Sequence, residues 1–222
     1  MSTSQEQVVV TAVQRLEQQF PLHARFAAIE PATRSLYQTI LRAIVQRGQP
    51  LERADFAANM PAEQLEAALQ RLNQDDMIIL NAEGQIVGAY PVTLEVTPHH
   101  LVVNGVAINA MCALDALTVG PMFDAEVEIN SACRMSGEPI HIRQKGRSIL
   151  EARPANALVG IRWAAPTTCH AAHSMCTEMI FLKDQDKARE WQAGDTEYTS
   201  LFSLEETVAF GDAFFTPLLA DS

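Results

Sequence analysis

Positive charge is scarce in this chain: 16 Lys and Arg stand against 27 Asp and Glu, a formal net charge of −11 over 222 residues. A surface of that sign repels a phosphate backbone, and no concentrated run of Lys and Arg offsets it, which excludes nucleic acid as a main partner. Nothing approaches the ~20 consecutive apolar residues of a membrane span. The opening MSTSQEQVVVTAVQRLEQQF has no basic leader followed by an apolar run, so the expectation is a cytoplasmic protein with no membrane partner. Also missing are a Gly-rich phosphate loop, a nucleophile elbow, a kinase signature, and the Cys-x-x-Cys and His-Glu-x-x-His spacings of common metal sites. The usual cofactor classes therefore have no support. Cysteine is sparse as well. Cys112, Cys133, Cys169 and Cys176 need no disulfide framework and would be free thiols in a reducing compartment, which leaves core filling, metal binding or chemistry.

What the chain does have is a globular composition, 48% hydrophobic and 19% charged, in a length that suits one large domain or two small ones. ATRSLYQTILRAIVQRGQ puts Leu36, Ile40, Leu41 and Ile44 at helical spacing and stops near Gly48. PLERADFAANM reads as a short second helix, and MPAEQLEAALQRLNQDD as a third, with Pro61 at its start and Leu65, Leu69 and Leu72 on one face. MIILN and QIVGAY follow as β-prone runs joined by NAEGQ, whose Gly84 suits a hairpin. Three helices and a hairpin resemble a winged helix. Its five arginines between residues 31 and 80 (Arg34, Arg42, Arg47, Arg53, Arg71) are outnumbered by Glu52, Asp55, Glu63, Glu66, Asp75 and Asp76, which favours a structural role over base readout.

The second half has a different pattern. TLEVTPHHLVVNGVAINA alternates like strands around Asn104-Gly105, a two-residue hairpin signal, and a helix follows from about Met111. AEVEINSAC, PIHIRQ, SILEAR, ALVGIRW and TEMIFL read as further strands, and AREWQA and LEETVAFGDAFFTPLL as helices. The fold class is α+β: a winged-helix-like three-helix domain over residues 1–85, then a mixed or antiparallel sheet with flanking helices over 86–222.

Two clusters could carry chemistry. In MCALDAL, Cys112 and Asp115 are i,i+3 neighbours that share a face if the segment is helical. At a helix start, free N–H groups and the dipole would favour a thiolate at Cys112. The plainer alternative has Cys112 packing as a small apolar residue while Asp115 caps or points to water. In TTCHAAHSMCTEMIFL, residues Cys169, His173 and Cys176 fall at i, i+4 and i+7, which on a helix would align three zinc ligands; the alternative leaves His170 and His173 solvated. Cys133, at a strand end before a turn, reads as packing.

MCALDAL, ACRMSGEPI and HSMCTEMIF, in this order and at these separations, resemble the organomercurial (alkylmercury) lyase family, from about Pro31 to Leu219. The resemblance implies catalytic roles for Cys112, Asp115 and Cys176, a structural role for Cys133, a catalytic domain over 86–222, and an N-terminal domain that is no DNA reader. It implies cleavage of R–Hg⁺ by protonolysis to R–H and Hg(II): the two thiolates, soft ligands, hold the mercury while Asp115 carries the proton. An apolar surround would raise the Asp115 pKa toward working pH. Organomercurial small molecules are then the substrates and Hg(II) the product, held by Cys112 and Cys176. Cellular thiols serve as co-reactants, mercuric reductase is an acceptor of the metal, and no organic cofactor is required. Met111 stands where members often have Trp, and Thr177 where some have a second adjacent cysteine; neither departure removes a catalytic group. The alternative is a winged-helix sensor of thiophilic metals that regulates transcription without turnover.

Overall fold

In the computed structural model, which describes residues 3–58 and 60–220, the chain opens with two helices that have no counterpart in the sequence reading, α1 (Thr3–Gln19) and α2 (Leu22–Ala28). α1 turns Val9, Ala12 and Leu16 inward. α3 (Pro31–Arg47) begins with proline at a position whose N–H would be unpaired in any case. It ends at Gly48, left-handed at φ 62° with its N–H on Ile44 O at 2.9 Å. A Cβ there would lie 2.7 Å from the Ala107 carbonyl oxygen, so both backbone and space call for glycine. The helix read over residues 50–60 is a single 3₁₀ turn, Arg53–Phe56, with Asn59 outside the described residues. The reason is local. Leu51 is extended and bridged to Ile86, and reciprocal capping between Glu52 and Asp55 closes the turn at once. α4 (Ala62–Gln74) follows and buries Leu65, Ala68, Leu69 and Leu72.

Eight strands form one antiparallel sheet: β1 (Ile78–Leu80), β2 (Ile86–Ala89), β3 (Val92–Thr93), β4 (His99–Val103), β5 (Val106–Ala110), β6 (Glu126–Ala132), β7 (Pro139–Lys145) and β8 (Ser148–Arg153). Their order is β1-β2-β3-β5-β4-β6-β7-β8. The sheet therefore runs across residue 85, with β3 joining the β1–β2 hairpin to the strands of the second half. Asn104 and Gly105 both take positive φ, 48° and 89°, as a tight β4–β5 hairpin demands. A three-stranded sheet, β10-β9-β11, is built from β9 (Leu158–Arg162), β10 (Met179–Leu182) and β11 (Thr199–Ser203), with α6 (Gln185–Gln192) against it. The sequence reading has no strand at β11, a five-residue run with two serines and a threonine.

Between the two sheets lies α5 (Ala113–Phe123), where every residue from Ala113 to Met122 is buried. A helix apolar all round must be enclosed on every side. The large sheet, β10 and the last helix, α7 (Leu204–Phe215), enclose it. The last described residues are tied back to the helical half, where Gln38 Nε2 donates to Leu218 O and Ala220 O at 3.0 and 3.1 Å; Tyr37 Oη donates to Tyr90 O at 2.8 Å, between β2 and β3. α5 and α7 touch at Gly211, where a Cβ would fall 1.9 Å from Thr118 Oγ1 and 3.3 Å from its Cα. Gly211→Ala is expected to destabilise the fold by about 1–3 kcal/mol despite the better helix propensity of alanine, because the helices must separate; urea unfolding measures it.

Candidate functional site

The β5–α5 junction places Cys112 as the N-cap of α5, in extended backbone (φ −152°, ψ −179°), with its Sγ accepting the Asp115 N–H at 3.4 Å. Cys112 thus takes the capping role usually filled by an oxygen, and Asp115 follows one turn in, on the same face. Cys176 arrives from far along the chain, in the short 3₁₀ turn Met175–Glu178 that leads into β10. One donor atom from each of Cys112, Asp115 and Cys176 lies within 4.8 Å of the others, and the Cys176 thiol donates to Asp115 Oδ2 at 3.9 Å. Asp115 is 2% exposed, so it neither points to water nor serves as a surface cap.

Burial is the largest influence on the protonation of Asp115 and Cys112. It pushes the Asp115 carboxyl up to about 7, against hydrogen bonds from the two thiols and the Cys112 backbone that work the other way. Cys112 is raised well above an ordinary thiol, chiefly by burial and then by its hydrogen bond with Cys176; the bond from the Asp115 N–H only partly opposes this. The helix-start expectation of a lowered Cys112 is therefore corrected: the N–H is in place, but loss of water outweighs it. For Cys176 the hydrogen bond with Cys112 works downward, yet burial with the negative charges of Asp115 and Asp76 leaves it raised as well.

A cleft of about 570 Å³ leads to this trio. Cys176 and Met111, 3% and 5% exposed, border its buried part, with Val96, Pro98, Ile180 and Phe181 also lining it. Glu95 and His173 line it where it is open to solvent, joined at 2.8 Å. Of the trio Cys176 borders the cleft, whereas Cys112 and Asp115 do not. Cys133 does border it; burial works to raise its thiol, but hydrogen bonds from Ser136 and from the backbone at Lys183, Ser136 and Met135 together lower it.

The segment 169–176 is not one helix but two short turns, so Cys169, His173 and Cys176 share no face. Cys169 is exposed, His173 pairs with Glu95, and Cys176 faces Asp115. Nor is His170 solvated. Its Nδ1 lies 2.9 Å from Asp76 Oδ1. Asp76 had no functional reading in the sequence; a lone acidic residue at a helix exit carries no signal. It sits 5% exposed at φ 52°, and accepts from Tyr90 Oη at 3.0 Å and from the Ala171 N–H at 2.9 Å, while Tyr90 Oη accepts from the Ala172 N–H at 2.9 Å. The end of α4 thereby fixes the backbone that carries Cys176.

Two outcomes follow from these contacts. Below about pH 4 the Asp115 carboxyl is protonated in folded and unfolded chains alike, so its contribution is fully present; as the pH rises toward the folded value near 7 only the unfolded chain ionises, and stability is lost. The loss reaches about 4 kcal/mol, and the stability difference between the wild type and Asp115→Asn, measured in urea from pH 4 to 8, is expected to carry that slope. Asp76→Ala strands several buried donors, at about 1–3 kcal/mol each. It is expected to accelerate hydrogen exchange at the amides of Ala171 and Ala172 well before those of α5.

The profile of the family described as alkylmercury lyase matches residues 92–216. Among curated relatives, the alkylmercury lyase of Bacillus cereus is 31% identical over 132 residues, 59% of this chain and 58% of that protein. Those of Staphylococcus epidermidis and Pseudomonas putida are 27% and 25% identical, over 79% and 85% of this chain and 79% and 86% of their own lengths. The chain thus spans about three fifths of the length of the Bacillus cereus and Clostridium butyricum relatives it matches. Among solved structures, the mercury-bound form of MerB2 superposes with a TM-score of 0.78 at 20% identity, covering 93% of this chain and all of that one, a likeness of fold.

Proposed function

The chain belongs to the alkylmercury lyase family, and on that premise we propose that it cleaves the carbon–mercury bond of organomercurials by protonolysis, with Cys112 and Cys176 as mercury ligands and Asp115 as proton carrier. The observation that carries the reading is the convergence of two thiols and one carboxyl within 4.8 Å, all buried, at the end of an apolar cleft. Sulfur is the softest donor a protein offers, so a thiol pair suits mercury above harder metals. The solved fold neighbour is a mercury-bound form, which agrees with this.

Cys176 borders the cleft and meets R–Hg–X first, exchanging its proton for mercury and releasing X. Asp115, beside that sulfur, moves a proton between the thiols and the substrate. When Cys112 engages the same mercury from behind, the Hg–C bonding pair leaves with the carbon, which takes up a proton from Asp115 to give R–H. The balance closes without redox: of two thiol protons, one ends on carbon and one leaves with X, while mercury stays Hg(II). High thiol pKa values fit this sequence, because the thiols remain neutral in the empty site and the metal itself displaces their protons. A carboxyl near 7 can both give and take a proton at neutral pH.

The proton and the electrons come from protein groups and the broken bond, so the reaction requires no organic cofactor. Cellular thiols then withdraw Hg(II), and mercuric reductase is a suitable acceptor in a cytoplasmic setting. Among the described residues no helix is long and apolar enough to cross a membrane. A DNA-reading role for the helical first half has little to work with. Arg47, Arg53 and Arg71 are engaged by Asp55, Glu66 and Asp75.

With phenylmercury and excess thiol under anaerobic conditions, the wild type is expected to release benzene. Cys112→Ser, Asp115→Ala and Cys176→Ser should each lose at least 100-fold in turnover while remaining folded. Full activity in Cys176→Ser would remove the two-thiol mechanism.

A further inference from the structure

Beside the two thiols lies a third sulfur. Met179 opens β10 directly after the 3₁₀ turn that carries Cys176, and its N–H closes that turn on the Cys176 carbonyl. With three residues per turn, positions 176 and 179 fall on the same side of the chain. Met179 is 2% exposed, and its Sδ lies 3.7 Å from Cys112 Sγ, close enough to accept the thiol hydrogen. The next three residues of β10, Ile180, Phe181 and Leu182, are buried hydrocarbon side chains, whereas the thioether of Met179 meets the Cys112 thiol.

We propose that Met179 Sδ is a third, weaker donor to mercury held between Cys112 and Cys176, an inference that rests on the two-thiol reading above. A thioether is soft and neutral and has no proton to lose, so it can donate a lone pair as soon as the Cys112 S–H contact is released. No bond to sulfur breaks and no electron is transferred. Added donation from this side increases electron density on the mercury and weakens its bond to carbon. It also holds Hg(II) against thiols in solution until two of them have replaced Cys112 and Cys176. A methionine that only filled space would do neither, and a leucine of similar volume would replace it without effect.

The test loads purified protein with one equivalent of Hg(II) and reads its sulfur shell by X-ray absorption, then times the loss of mercury to excess dithiothreitol. The wild type is expected to show two short Hg–S contacts and one longer one, and Met179→Leu only the two. The variant should release mercury about tenfold faster, at the low end of what a lost supporting partner costs a metal site, and its kcat for phenylmercury should fall while its circular dichroism is unchanged. Met175→Leu, in the same turn, controls for packing and should keep all three contacts. If the wild type and Met179→Leu share a two-sulfur shell and release mercury at the same rate, the third donor is refuted and the thiol pair stands. A wild type that holds mercury through fewer than two sulfurs overturns both.

Discussion

A carboxyl group kept out of water between two thiols is the constraint around which this structure is arranged. Asp115 is 2% exposed, and among described residues the side-chain donors facing it are thiols rather than a cation. Such a group is tolerated only if it can stay neutral, and staying neutral requires that water be excluded from all sides. The enclosure of α5 by the large sheet, β10 and α7 supplies this. It also explains why α5 is buried around its whole circumference and apolar apart from Asp115 and Thr118, a pattern that would be a defect in a helix with one face in solvent.

The same exclusion dictates how Cys176 must be brought in. A cysteine on a mobile loop would carry water with it, so the turn that holds it is anchored on buried polar groups. Asp76 and Tyr90 serve as that anchor, taking the His170 ring and the amides of Ala171 and Ala172. Tyr90 is itself linked through its carbonyl to Tyr37 on α3. The helical first half therefore acts on the site by holding backbone, and three of its arginines, Arg47, Arg53 and Arg71, are engaged in ion pairs on its own surface.

Much of this was legible in the residues, and what was not has definite physical causes. The α3 and α4 helices and the Asn104-Gly105 hairpin could be read because period and turn chemistry are local. The i,i+3 relation of Cys112 and Asp115 is local too. That Cys176 meets them depends on β10 pairing with β9 and packing on α5, contacts between positions far apart in sequence, and spacing alone says nothing of those. Only the resemblance to a family pointed there. The helix expected over residues 50–60 failed because Leu51 was drawn into a bridge with Ile86. The lowered Cys112 thiol failed because a helix N-terminus is worth roughly 1 kcal/mol whereas full burial shifts a pKa by several times that. Asp76 left no signal, since its importance lies in what folds against it.

The asymmetry of the site then gives the proposed chemistry its order. Cys176 borders the cleft whereas Cys112 and Asp115 do not, so in the proposed reaction a substrate entering along the apolar walls reaches one sulfur before the other. Capture by a single thiol is exchange of one mercury ligand for another and leaves the carbon–mercury bond intact. Cleavage needs a second sulfur, and the proton for carbon must be close at that moment. Because Cys112 caps the helix turn that presents Asp115, the second sulfur and the proton donor move as one rigid unit. Mercury cannot reach Cys112 without coming within a few ångströms of Asp115 as well. Coupling of bond weakening to protonation is thus a property of one helix turn rather than of two independently placed groups, and the excluded water keeps any other proton source away.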